Sequence, residues 1–234
     1  NLAEAHYNMG NILHDIGKVT DALEYYSSAS KHAPKNIFYF INAYLSFSPI
    51  MASNSQIDIE RMQFKKEINK LKNKDMYYEK PKGFIPSIFH LAYQNRPDDR
   101  LILEDFAKVI SKTNGIISNG FSRNKYLINS SNRKNLKVGI CSMFLRTNHS
   151  VGKCFLKVLK DLSETDLDIR LYVIPDNKKH PLRKEVCSYF TKVINLPNCP
   201  KMSAEIILSD HLDLIFYPDI GMNSFSYILA LSRL

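Results

Sequence analysis

At Leu136 the hydrophobic pattern of the chain changes period, and this change constrains the fold more than any other feature. "LKVGICSMF", "LDIRLYVIP", "TKVINLP" and "LDLIFYPD" are short apolar or β-branched runs of the kind that parallel sheets bury on both faces. Helical patterns separate them, over Ser150 to Leu162, His180 to Phe190, Ser203 to Leu212 and from Ser224 onward. Strand and helix alternate four times. Residues 136–234 are therefore expected to fold as an α/β domain, a Rossmann-like doubly wound parallel sheet.

In such sheets ligands sit outside the carboxyl ends of the strands, where strand order reverses. If the first two strands wind one way and the chain then crosses over, strands one and four become neighbours and their following loops share a crevice. Those loops are Arg146-Thr147-Asn148-His149-Ser150 and Pro218-Asp219-Ile220-Gly221-Met222-Asn223. His149 titrates near neutrality and precedes a helix start whose free N–H groups favour anions, a place suited to a base, a proton shuttle or a phosphate contact. A histidine there could equally cap the helix or fill the turn. A dinucleotide site would want G-x-G-x-x-G after the first strand, and only Gly152 is present. A Walker loop is missing as well, which argues against NAD enzymes and P-loop nucleotidases.

The first segment, "AEAHYNMGNILHDIGKVTDALEYYSSASKHAPKN", reads as a helical hairpin. Met9, Ile12, Leu13 and Ile16 give one apolar stripe, Gly17 breaks it, and Ala22, Leu23, Tyr26 and Ala29 give a second before Pro34 stops it. Gly10, Ala22 and Ala29 are small enough for close helix approach. The segment resembles the tetratricopeptide repeat, with Met9, Gly10, Leu13, Ala22, Tyr26, Ala29 and Pro34 at signature positions with compatible residue types, and departures at His6, where that family often has Trp, and Leu13, where it often has Tyr. One repeat cannot bury its own faces, so further repeats are expected upstream of Asn1. The chain starts without Met and stops inside the apolar pattern "YILALSRL", and it is expected to be an excerpt.

Residues 1–35 are thus assigned to the repeat and residues 36–112 to a helical adaptor. The adaptor helices are expected at "IFYFINAYLSF", "IERMQFKKEINKLK", "SIFHLAYQ" and "DDRLILEDFAKVISK", with Asp98 and Asp99 suited to the start of the last. Residues 113–135, rich in Asn, Ser and Lys, form a linker.

The net charge of +9 raises the question of nucleic acid. Between Arg61 and Lys82 eight basic residues face Glu67, Asp75 and Glu79, and between Arg123 and Lys137 five basic residues face no acid. With no RNA-recognition signature, solvated helix faces are the preferred reading and nucleic acid is not the expected partner. No apolar run is long enough for a bilayer, and no signal peptide opens the chain, so a cytoplasmic protein with no membrane partner is expected. Cys141, Cys154, Cys187 and Cys199 show no metal spacing, so they are expected as free thiols and no metal site is expected.

The order of parts resembles the family of protein O-linked N-acetylglucosamine transferases with their Spindly-type relatives, in which tetratricopeptide repeats precede two Rossmann-like lobes. Three stretches carry the likeness. "FHLAYQNRPDD" is similar to the segment introducing the first lobe. "LKVGICSMFLRTNHSVGKCF" resembles its first strand, the turn with His followed by Pro or Ser, and the next helix. "LDLIFYPDIGMNSFSYILALSRL" resembles a late strand and the helix leading toward the family's Ala-Pro-x-Gln element.

The resemblance implies a GT-B type glycosyltransferase, transferring N-acetylglucosamine from UDP-GlcNAc to protein Ser or Thr hydroxyls with inversion and without a metal or other cofactor. It puts His149 in the catalytic role of accepting or steering the hydroxyl proton. Asn148, Ser150, Gly152, Asp219 and Gly221 become candidate substrate-binding residues, although Gly152 could serve helix packing and Asp219 a turn. The repeats would bind acceptor proteins. The second lobe, which holds most donor contacts in the family, is not in this sequence, so residues 1–234 alone are expected to be inactive. Transfer of fucose or hexose, and a non-catalytic scaffold, are the competing readings.

Overall fold

The computed structural model describes residues 2–48, 50–78, 88–113, 135–146, 149–175 and 184–232. The chain divides into two compact units, Asn1–Ile117 and Ser118–Leu234.

The first unit is helical. Helices α1 (Leu2–Asp15) and α2 (Val19–His32) form an antiparallel hairpin, turned at Gly17 with φ +81°. Gly10 makes the close approach possible: a Cβ there would lie 2.5 Å from the Tyr26 ring and 3.2 Å from the Ala22 carbonyl oxygen. Ala3, Ala22, Tyr26 and Ala29 are buried at this contact, and the Tyr26 hydroxyl donates to Asn11 Oδ1 at 2.9 Å. Helix α3 (Ile37–Tyr44) starts at Asn36, whose side chain accepts from the Phe38 N–H, and buries Ile37 through Ile41. Tyr7, Phe38 and Tyr39 pack edge to face, which joins α1 to α3.

Of the expected apolar stripe of α1 only Leu13 is half-buried. Met9, Ile12 and Ile16 are all exposed, because α2 takes the opposite face of α1, the one carrying Ala3 and Gly10. Tyr26, Phe38 and Tyr39 are packing residues as expected, whereas Tyr25 is exposed.

Helix α4 (Asn54–Leu71) is capped by Ser53 and lies against α5 (Asp99–Lys112). Phe64, Ile68, Ile102, Phe106 and Ile110 are buried. The segment after α4 returns to the start of α3 by a bridge in which the Ile37 N–H donates to the Tyr77 carbonyl and the Tyr77 N–H to the Lys35 carbonyl, both at 2.9 Å. "SIFHLAYQ" forms a 3-10 helix, Phe89–Gln94, and not an α-helix. Asp98 does precede α5, yet its carboxylate caps nothing: Arg61 and Lys65 hold it instead.

The second unit is a four-stranded parallel sheet, β1 (Lys137–Ser142), β2 (Asp168–Val173), β3 (Val193–Asn195) and β4 (Leu214–Phe216), in the order β3-β2-β1-β4. On one face Val138, Ile140, Ile169, Leu171 and Val173 pack with Val151 of α6 (Ser150–Cys154), Leu159 of α7 (Leu156–Ser163) and Val186 of α8 (Lys184–Tyr189). Alternation along the strands sends Gly139, Cys141 and Tyr172 to the other face. There Tyr172 donates to Asp210, the residue that ends α9 (Pro200–Ser209), and a Cβ on Gly139 would meet Leu212 at 2.5 Å. Helix α10 (Ser224–Leu231) packs on α9 and buries Phe225, Ile228 and Leu229. Strand and helix alternate as the sequence implied, with several boundaries moved: α9 also ends at Ser209 and not at Leu212, and the expected start of α8 at His180 lies outside the described residues. The helix expected at Ser150 to Leu162 is two helices meeting at Phe155, and α9 starts three residues early because Pro200 suits a first helical turn.

Candidate functional site

The strand order puts its reversal between β1 and β4. The chain moves from β1 outward through β2 to β3 and then returns to lay β4 on the other side of β1, pairing Val138 with Leu214 and Ile140 with Phe216. The loops that follow these two strands meet at the carboxyl edge of the sheet, and one side chain joins them. Asp219, fully buried, accepts from the Met143 N–H at 2.9 Å and from Asn223 Nδ2 at 3.1 Å, both through Oδ2. Its Oδ1 and the Tyr217 hydroxyl are buried without a hydrogen-bond partner among the described residues. Burial pushes the Asp219 carboxyl above the usual carboxylate range, against the pull of the Met143 N–H and of the Ser142 hydroxyl.

The β4 loop is shaped by short-range turn chemistry. The Met222 N–H donates to the Asp219 carbonyl at 3.0 Å, and Gly221 takes the third position of that turn with φ +83°, where a side chain would be strained. Asn223 then caps α10, its Oδ1 accepting from the Ser226 N–H at 2.8 Å.

The β1 loop is held as firmly. Arg146 is buried and donates from Nε to the Met143 carbonyl at 2.6 Å and from Nη2 to the Ile174 carbonyl at 2.9 Å, so one guanidinium ties the ends of β1 and β2. His149 occupies the N-cap of α6. Its Nδ1 accepts from the Val151 N–H at 3.2 Å, and its ring stacks on Phe144 with centroids 4.1 Å apart and planes 11° from parallel. Gly152 follows because α6 rests on this loop: a Cβ would lie 2.5 Å from the Arg146 carbonyl oxygen and 2.9 Å from its nitrogen.

Residues 3–36 match the tetratricopeptide repeat family. No curated protein sequence matches the chain. Among solved structures the chain is similar to a variant of the O-GlcNAc transferase of Thermobaculum terrenum, at 13% identity and a TM-score of 0.45, over 99% of this chain and 42% of that one. The chain thus spans less than half the length of that protein.

The sequence-derived candidates fall into three groups. His149, Asp219 and Gly221 lie on the two loops at the strand-order reversal, Ser150 is the exposed first residue of α6, and Gly152 lies within α6 against the Arg146 backbone. Asn148 lies outside the described residues, as does His180. The anion-binding helix start inferred from sequence takes a different form, because α6 has five residues and His149 itself occupies the Val151 N–H. Sequence reasoning passed over Phe144, Arg146 and Asn223 as site-forming residues. Asn223, three residues before Ser226, carries a readable N-cap signal; nothing local marks the guanidinium of Arg146 as a clamp between two strand ends.

Four residues of the first basic stretch are paired within their own unit. Arg61 pairs with Asp98 and with Asp99 at 2.7 Å, Lys65 with Asp98, Lys70 with Glu67 at 2.5 Å, and Lys72 with Asp105 at 2.9 Å. The second basic stretch lies largely outside the described residues. A cleft of about 490 Å³ in the helical unit is bordered by Asn11, His14, Tyr26, Asn42, Glu60 and Gln63. Helical repeats of this type use such concave surfaces to hold other proteins. No described helix is long and apolar enough to cross a membrane. Among the described residues no three His, Cys, Asp or Glu side chains group as metal ligands, and Cys141, Cys154 and Cys199 are free.

Proposed function

We propose that these 234 residues are a tetratricopeptide hairpin and the first Rossmann-like lobe of a protein O-glycosyltransferase. The parent protein transfers N-acetylglucosamine from UDP-GlcNAc to Ser or Thr hydroxyls, with inversion. The observation that carries the reading is the meeting of the β1 and β4 loops at the reversal of strand order, with His149 on one loop and Asp219 on the other. The sequence likeness of those same two loops to the transferase family supports it, as does the repeat preceding the sheet.

In this reaction the acceptor oxygen forms a bond to the anomeric carbon, and the bond from that carbon to the diphosphate oxygen breaks with its electron pair leaving on UDP. The hydroxyl proton ends on the diphosphate or on solvent. His149 steers the acceptor hydroxyl, and Asp219 keeps the opposite loop in register with it. The helical unit holds the acceptor protein, and a second lobe outside these residues holds most of the nucleotide.

The test is mass spectrometry of a mixed protein acceptor incubated with UDP-GlcNAc and the full-length product of the gene, with His149→Ala alongside. Addition of one N-acetylhexosamine mass that disappears in the folded variant supports the reading. Transfer only from GDP-fucose or another hexose donor redirects the donor assignment, and no transfer from any sugar nucleotide favours a binding scaffold.

A further inference from the structure

The geometry points to a single role for His149 that sequence cannot distinguish: its imidazole is locked as the Nε2–H tautomer and serves as a hydrogen-bond donor, with Phe144 as the positioning residue. The inference deepens the function proposed above, and it names how this side chain meets an oxygen of the acceptor or of the donor diphosphate.

A neutral imidazole carries one N–H and one bare nitrogen, and the partner of one nitrogen decides the state of the other. Here the Val151 N–H points at Nδ1 from 3.2 Å. Two N–H groups cannot face each other, so Nδ1 is bare and the proton sits on Nε2. That nitrogen makes no hydrogen bond among the described residues, and with its proton in place it offers a donor and no lone pair. To act as a base at Nε2 the ring would have to move its proton to Nδ1, which breaks the cap of α6. Ring rotation about the Cβ–Cγ bond is the other escape, and the stacked Phe144 ring opposes it. The Phe144 backbone is anchored by its N–H, which donates to Ser142 Oγ at 3.0 Å at the end of β1, and its ring packs against the apolar cluster on that face of the sheet. The acceptor proton is therefore taken by a group other than His149.

The decisive measurement is a long-range proton–nitrogen correlation spectrum of the chain labelled with nitrogen-15 histidine, recorded at alkaline pH. His149 is one of seven histidines, and its signals are assigned by their loss in His149→Asn, whose side-chain oxygen keeps the helix cap. A bare Nδ1 and a protonated Nε2 are expected. A protonated Nδ1 overturns the assignment. Phe144→Leu, which keeps the apolar packing, is expected to average the two nitrogens toward each other, and Phe144→Tyr to restore the wild-type pattern. An unchanged spectrum in Phe144→Leu removes the positioning role. In the full-length product His149→Asn is expected to lower transfer about tenfold or more, as for loss of one aimed donor. Wild-type rates in that variant overturn the donor role, whereas absence of transfer in every protein sinks the transferase reading and leaves the tautomer to the spectrum.

Discussion

Asp219 accepts the backbone N–H of Met143 across 76 residues of chain, and this one contact makes the loops after β1 and β4 a single piece. Asp219→Ala leaves that N–H buried and unpaired, a cost of about 1 to 3 kcal/mol. Urea unfolding of the chain, followed by a probe in the second unit, measures it; a midpoint equal to wild type contradicts the stitch.

The same carboxylate predicts a pH effect of defined sign. Burial raises its folded-state pKa above the reference value of 3.8. The folded chain then binds this proton more tightly than the unfolded chain, so stability falls as pH rises from 3.8 through the raised value, and is level beyond it. Asp219→Asn lacks this slope. Its stability relative to wild type is expected to rise across that window, and a difference independent of pH rules the burial effect out.

Two glycines should respond differently to a methyl group. Gly152→Ala drives Cβ into the backbone of Arg146, which cannot yield without moving the β1 loop; the expected loss is about 1 to 3 kcal/mol. Gly10→Ala meets the side chain of Tyr26, which can swing aside at the expense of its bond to Asn11. The ranking is the prediction: the Gly152 variant loses more, and equal urea midpoints for the two variants refute it.

Arg61 is buried beneath its acids, so Arg61→Met strands Asp98 and Asp99 beside Lys65 alone. A loss of about 2 kcal/mol is expected, less than for a fully buried pair because both carboxylates are partly exposed. Lys65 first and Arg61 second hold the Asp98 carboxyl below its usual range. That contribution is complete above the reference value of 3.8 and vanishes as pH falls through the lowered one. Acid titration of the variant should show a shallower loss of helical signal than wild type over that interval.

Thiol chemistry separates the cysteines. Cys141 is buried on β1, and desolvation pushes its thiol far up, whereas Cys154 on α6 is exposed. Iodoacetamide at mildly alkaline pH should label Cys154 in the folded chain and spare Cys141 until urea is added. Peptide mass spectrometry reads the outcome, and early modification of Cys141 would mean that β1 is not the buried strand.

The period of the apolar residues carried the architecture. Four short β-branched runs separated by helical patterns leave little choice but a parallel sheet, and the pairing of β1 with β4 follows from how such sheets wind. The repeat was legible because Gly10, Ala22 and Ala29 report helix proximity by size alone. What pattern could not convey was which face of α1 is covered: Met9, Ile12 and Ile16 form a correct helical stripe, yet small residues on the other face dictate where α2 lies. The placing of His149, Asp219 and Gly221 on the loops after β1 and β4 was legible from the strand pattern. Their actual bonds were not, since a cap on Val151 and a stitch to Met143 depend on side-chain rotation and on contacts between segments remote in sequence.

The described residues at both ends of the β1 loop are tied down. Arg146 is tethered to two strand ends, His149 to the helix it opens, and Gly152 to a space with no room for a methyl group. Insertions or larger side chains are poorly accommodated at Arg146, His149 and Gly152, so sequence change at this corner is confined to residues of matching size and hydrogen-bonding type.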